Sequence, residues 1–181
     1  MKKLIRFLLI IILILSLLII YARYGGTRGL ITKEYPIETT IDDSFDGLKI
    51  VHFSDLHYLT TQSIIEEINL LNPDIVVFTG DLIDKDYKPN DKDISNLKEL
   101  LTSIKSKYGK YSVLGEHDTK IEDTIKDIYI SSNFTLLDNS YDIIYGNNNN
   151  KLFIGGLSNN PDIDKVMNYF TDNEDISYKI I

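Results

Sequence analysis

Apolar positions fall along this chain in two regimes. The first is one block: Phe7 to Ala22 is apolar except for Ser16. Beyond residue 36 they come in short runs separated by helical periodicities. "LKIVHFS" (48–54) is a short β-rich run and predicts a strand. Ile64, Ile68 and Leu71 follow at i, i+4, i+7 and predict a helix over 61–71, with Ser63 and Glu66 spaced for a capping box. "DIVVFTG" (74–80) predicts a second, buried strand. Ile94, Leu97, Leu101 and Ile104 mark one face of a helix over 94–105. "KYSVLG" (110–115) predicts a third strand, and Ile121, Ile125 and Ile128 a third helix. Strands alternating with helices predict βαβ units, a parallel sheet and an α/β fold.

The pattern then changes. "NFTLLD", "YDIIYG" and "KLFIGG" are strand-like runs close together, and "GNNNN" (146–150) between the last two reads as a hairpin loop. A short helix over 162–170 and a last apolar run, "ISYKII", complete the order.

The N-terminal block has a basic head and just reaches the length of a bilayer span, about 17–25 residues. It predicts a transmembrane anchor over 1–24. A cleaved signal peptide is the rival, but "IIYARYGG" offers no A-x-A cleavage pattern. Residues 25–36 read as a linker, and 37–181 as one domain. Lys2, Lys3, Arg6 and Arg23 give residues 1–24 a charge of +4, which leaves −12 on the rest of a chain whose total is −8. The basic head predicts the N-terminus inside and the domain outside the cytoplasm, on a single span of the cell membrane, although Arg23, Arg28 and Lys33 on the other flank blunt that charge bias. A body that acidic is a poor binder of nucleic acid. The sequence has no cysteine, which excludes disulfides, zinc-thiolate sites and cysteine nucleophiles.

Ionisable residues collect where the predicted strands end. The first ends in "SDLH" with Asp55 and His57, the second in "TGDLID" with Asp81 and Asp84, the third in "LGEHD" with Glu116, His117 and Asp118. Ligands of parallel α/β sheets bind beyond the carboxyl ends of the strands. Asp55 and His57, two apart in extended chain, point the same way and can address one metal. Carboxylates crowded together repel unless cations lie between them, and two divalent ions activate a water for attack on phosphorus. Alone, each motif has an ordinary reading. Asp84 and Asp86 suit a turn, Asp118 suits a helix N-cap, and His52, in mid-strand, suits the core or an outer role behind a ligand.

In this order, "SDLH", "GDLID" and "GEHD" resemble the first three blocks of the calcineurin-like metallophosphoesterases: D-x-H, G-D-x-x-D and G-N-H-D/E. The leading apolar segment, "FDGLKIVHFSDLH" and "GGLSN" are similar to the membrane-anchored bacterial branch. The resemblance implies a calcineurin-like β-sandwich flanked by helices (αββα). It also implies hydrolysis of a phosphate ester by a water activated between two divalent ions (Mn, Fe, Zn or Mg). By motif, Asp55 and His57 hold the first metal and Asp81 bridges both. Glu116 occupies the second-metal position. His117 is the catalytic group facing the leaving oxygen, with Asp118 as the catalytic residue that orients it, and Asp84 stands behind the ligands.

Two departures follow. Glu116 replaces the family's neutral asparagine with a carboxylate, a good hard-metal ligand that also repels phosphate. The chain has three histidines, His52, His57 and His117, so the family's later histidine motifs have no counterpart. The resemblance thus implies an incomplete, N-terminal portion of the domain, with an incomplete second metal site and impaired activity. The alternative is a catalytically inactive, membrane-tethered domain that binds metal or phosphate. A receiver-type regulator also has acidic strand ends but does not account for D-x-H.

Overall fold

A computed structural model describes residues 2–24, 30–57, 62–171 and 176–181. They fall into two compact units, Met1–Glu38 and Thr39–Ile181. The first holds helix α1, Lys2–Tyr24. At 1.5 Å per residue it is roughly 34 Å long, against about 30 Å of bilayer hydrocarbon. Its stretch Lys2–Ala22 has a mean hydropathy of 3.0 and is long and apolar enough to cross a membrane. Ser16, its polar interruption, returns its hydroxyl to the Leu13 carbonyl at 2.8 Å, so that hydroxyl is paired within the helix. Part of the predicted linker, 25–29, lies outside the described residues; 30–38 has no regular structure.

The second unit is layered. Strands β1 (Ile50–Phe53), β2 (Ile75–Phe78), β3 (Gly109–Ser112) and β4 (Thr135–Leu136) form a parallel sheet in that order. Helices α2 (Gln62–Leu70), α3 (Asp91–Thr102) and α4 (Glu122–Ser131) connect them. Strands β5 (Ser140–Tyr145), β6 (Lys151–Gly156) and β7 (Ile176–Ile180) form a second sheet, with β5 antiparallel and β7 parallel to β6. Helix α5 (Ile163–Thr171) follows β6 in sequence. Its Val166 is buried and sits where a Cβ on Gly155 of β6 would fall, so this helix lies against the second sheet.

Alternation along the strands builds the layers. On β2, Val76 and Phe78 join the core beneath α2, α3 and α4, while Ile75 and Val77 join a second core with Ile144, Leu152 and Ile154 of the other sheet. The first sheet is thus buried on both faces, as parallel sheets are. The mixed fold and its helix-flanked sheet agree with the predicted class.

Several boundaries moved for identifiable reasons. Helix α3 begins three residues earlier than its apolar face because Asn90 and Asp93 form a reciprocal capping box. Helix α2 already begins at Gln62, so Ser63 lies inside it and is not the cap. "NFTLLD" contributes only a two-residue strand, and the asparagine run makes a short 3₁₀ turn (Asn147–Asn149) within the predicted hairpin. His52 is not a core residue. β1 is an edge strand on which Ile50 and His52 face outward, and His52 Nε2 lies 2.8 Å from Thr79 Oγ1.

Candidate metal centre

The hydrogen-bond ladder of the first sheet continues past the strand ends and draws the three motifs together. Thr79 N–H donates to the Phe53 carbonyl at 3.2 Å, Asp55 N–H to Gly80 at 3.0 Å, His57 N–H to Asp81 at 3.2 Å and Val113 N–H to Phe78 at 3.1 Å. The backbone must turn hard to do this. Asp55, His57 and Asp81 have φ of +55°, +44° and +56°. The other non-glycine residues with positive φ among those described are Asn72, Asn133, Asn139 and Asn149, a type that tolerates this region. Aspartate and histidine also enter it more readily than most residues, still at a cost on the order of 1 kcal/mol each, and such strain gathers at functional sites. Asp55 and His57 therefore do not meet by extended-chain alternation, since β1 has already ended. They meet through left-handed turns, which set Asp55 Oδ1 3.7 Å from His57 Nε2.

Two glycines allow the second and third motifs to touch. Gly80 has φ +91°, and a Cβ there would overlap the Gly115 backbone; a Cβ on Gly115 would overlap the Asp81 main chain and carboxylate. Asp118 then ties the strand ends together. Its carboxylate is buried and accepts the N–H groups of Asp81, Leu82 and Gly115, each at 3.0 Å, and the hydroxyl of Tyr129 at 3.2 Å. Burial pushes the Asp118 pKa up, and the four donors oppose the rise. Every partner donates, so the cradle is shaped for the carboxylate form. Burial, then the Asp118 charge, pushes the Tyr129 phenol well up and keeps it a donor. A further tie comes from the second sheet: Asn159 Nδ2, in the loop after β6, donates to the Gly115 carbonyl at 3.0 Å.

Within this cradle one ligand atom each from His57, Asp81 and His117 lie within 4.8 Å of one another. Asp81 Oδ1 accepts the His117 N–H at 3.0 Å, and the two imidazole rings are 5.5 Å apart. Nδ1 of His57 and Nδ1 of His117 are buried without a hydrogen bond. Carboxylate oxygens come near them, Asp84 Oδ1 at 2.9 Å and Asp81 Oδ2 at 3.3 Å, but out of hydrogen-bond alignment. Buried ring nitrogens left unbonded beside carboxylates are what a divalent cation satisfies, and the mixed nitrogen and oxygen set suits Mn, Fe or Zn.

The remaining site residues take different positions. Asp55 borders the group, exposed and hydrogen-bonded by the Ser54 hydroxyl. Asp84 abuts His57. Glu116 is exposed, precedes the 3₁₀ turn His117–Ile121 and lies outside the close group. Asp118 reaches the site through main-chain N–H groups. Tyr129 and Asn159 were not singled out by the sequence. Tyr129 sits on an apolar helical face with Ile125 and Ile128, where only its hydroxyl hints at a buried partner.

The calcineurin-like phosphoesterase profile matches residues 48–179. The chain belongs to that family. It is 32% identical over 167 residues to YkuE of Bacillus subtilis, a metallophosphoesterase, covering 84% of this chain and 57% of that one. It is 31% identical over 115 residues to a transmembrane protein with a metallophosphoesterase domain from Danio rerio, covering 59% and 25%. It is also 35% identical over 78 residues to LpxG of Chlamydia muridarum, a UDP-2,3-diacylglucosamine pyrophosphatase, covering 40% and 23%. The chain spans between about a quarter and somewhat over half of these relatives' lengths. In this calcineurin-like phosphoesterase the matched region contains all three strand-end motifs.

Proposed function

We propose that this chain is a membrane-anchored, metal-dependent phosphoesterase that hydrolyses a phosphate ester, with a weakened second metal site. Its main support is the meeting of His57, Asp81 and His117 with two unbonded ring nitrogens in a backbone cradle. His57 and Asp81 would hold the first cation with Asp55 at its border, and by motif Asp81 and the exposed Glu116 would supply carboxylates to a second. Bound divalent cations supply charge stabilisation at the phosphoryl oxygens and lower the pKa of water. His117 faces the leaving oxygen and stabilises its charge or protonates it. Asp118 is a positioning residue, acting through the N–H groups of Asp81 and Gly115. Helix α1 serves as the anchor, and the acidic domain lies outside the cytoplasm.

Hydrolysis of an aryl phosphate by the purified full chain in detergent with Mn²⁺ tests the activity. Turnover lost in His117→Ala and in His57→Ala supports it; no turnover with any divalent ion opposes it. Protease digestion of intact cells tests the topology. A second reading, a catalytically inactive tethered domain that binds metal or phosphate, is favoured by one observation: Glu116 carries charge where the family motif has an amide, and it stands exposed outside the close group. Metal binding without turnover selects that reading.

A further inference from the structure

We propose that Lys120 receives a second negative charge, carried by the leaving group of the ester. This rests on the phosphoesterase reading and adds a substrate class to it. The loops that follow the strand ends are rich in carboxylates: Asp55, Asp81, Asp84, Asp86 and Glu116. An anionic group reaching past the metal positions meets repulsion there unless a cation is fixed on the rim.

Lys120 is placed for this. It lies three residues after His117 on the same 3₁₀ turn, and side chains three apart in a 3₁₀ helix eclipse one another. Lys120 therefore leaves the turn on the side of His117. Its Nζ lies 3.2 Å from Asp86 Oδ1. Asp86 is two residues beyond Asp84, whose carboxylate abuts His57. The ion pair thus links the loop that carries Asp81 and Asp84 to the turn that carries His117. Lys85 shares that loop, but no ion pair fixes it among the described residues. Lys98, Lys107 and Lys126 pair with Asp127, Asp74 and Glu122 on other elements.

The pair is also easily exchanged. The Asp86 side chain is 92% exposed and that of Lys120 52%, and such surface pairs are weak. Asp86 holds the ammonium at the rim, and an incoming carboxylate or phosphate replaces it at little cost. Substrates whose aryl group carries a further negative charge gain from Lys120, and aryl phosphates with an uncharged aryl group do not.

The test uses the Mn²⁺-loaded full chain in neutral detergent and calorimetric titration with the non-hydrolysable phenylphosphonate and 4-carboxyphenylphosphonate, with hydrolysis of the corresponding phosphate esters assayed separately. The carboxylated ligand should bind about 3- to 5-fold tighter, the most that one exposed ion pair gives. Lys120→Gln should bring that ratio towards one. Asp86→Asn should raise it, because the ammonium is released. Raised salt should shrink it. Equal binding of both ligands by the parent, or an undiminished ratio in Lys120→Gln, overturns the assignment while the phosphoesterase reading stands. Failure of both ligands to bind overturns the two together. A preserved ratio without turnover keeps Lys120 in this role and removes the catalytic reading.

Discussion

Tyr129, buried on α4, donates its hydroxyl to the carboxylate of Asp118 across 3.2 Å. The bond ties the helical layer to the strand ends that carry the metal ligands. Hydrogen bonds to a charged group contribute about 1.5–3 kcal/mol. Tyr129→Phe should therefore melt lower by roughly 3–12 °C, at about 2–4 °C per kcal/mol for a domain of this size. Its Mn²⁺ affinity should also fall, since Asp118 positions Asp81. A variant that melts with the parent and binds Mn²⁺ equally well would take Tyr129 out of this role.

The contact of Gly80 with Gly115 should tolerate no side chain. Gly80→Ala combines overpacking against backbone with a positive φ, a cost of about 3 kcal/mol or more. Denaturant titration should show it, with Gly115→Ala destabilised through Asp81. A near-neutral Gly80→Ala would mean that the two turns do not touch in solution.

Lys110 sets a pH dependence at the other end of the first sheet. Its buried ammonium donates to the carbonyls of Leu101 at 2.9 Å and Ser132 at 2.7 Å, where α3 and α4 end, and lies over the Phe134 ring. Burial lowers its pKa from 10.5 to about 8. Below 8 the amine is protonated in folded and unfolded chains alike. Between 8 and 10.5 the unfolded chain holds more protons, so stability rises with pH. Tyr111 and Tyr129 are pushed the other way by burial, which lowers stability once unfolded tyrosines ionise above 10. Thermal midpoints should therefore climb from about pH 8 to about pH 10 and then fall. Lys110→Met should flatten the climb, and a climb that persists in that variant would assign it elsewhere.

Glu116→Asn should raise aryl phosphate turnover several-fold, by removing a negative charge that opposes the phosphoryl group, on the order of 1 kcal/mol at a solvated site. Unchanged or lower turnover would show that the carboxylate does not restrain the reaction.

Metal analysis of the full chain should find one tightly held divalent ion. Of three histidines in the sequence, His57 is assigned to the ion with Asp81, His117 lies beside them but is assigned to the leaving oxygen, and His52 faces outward beside Thr79. Chelation should lower the melting temperature of the parent and leave that of His57→Ala nearly unchanged. Two tight ions per chain would contradict this count.

The three strand-end motifs were legible because a parallel sheet presents chemistry at its carboxyl ends, and their order carried the family resemblance. Helix faces were legible wherever isoleucine and leucine kept their spacing. The geometry between motifs was not. Nothing in the sequence says that Asp55, His57 and Asp81 take positive φ, because that follows from hydrogen bonds to residues 24 to 25 positions away. The role of Asp118 was equally hidden, since its partners are main-chain groups of another strand end and a tyrosine on a helix. His52 misled because an edge strand has the composition of a buried one.

The cradle is woven from main-chain hydrogen bonds, the Asp118 carboxylate and two glycines, and of the candidate ligands the Asp81 carboxylate takes part in it by accepting the His117 N–H. An exposed position such as 116, outside that web, can therefore change its charge without loosening the scaffold.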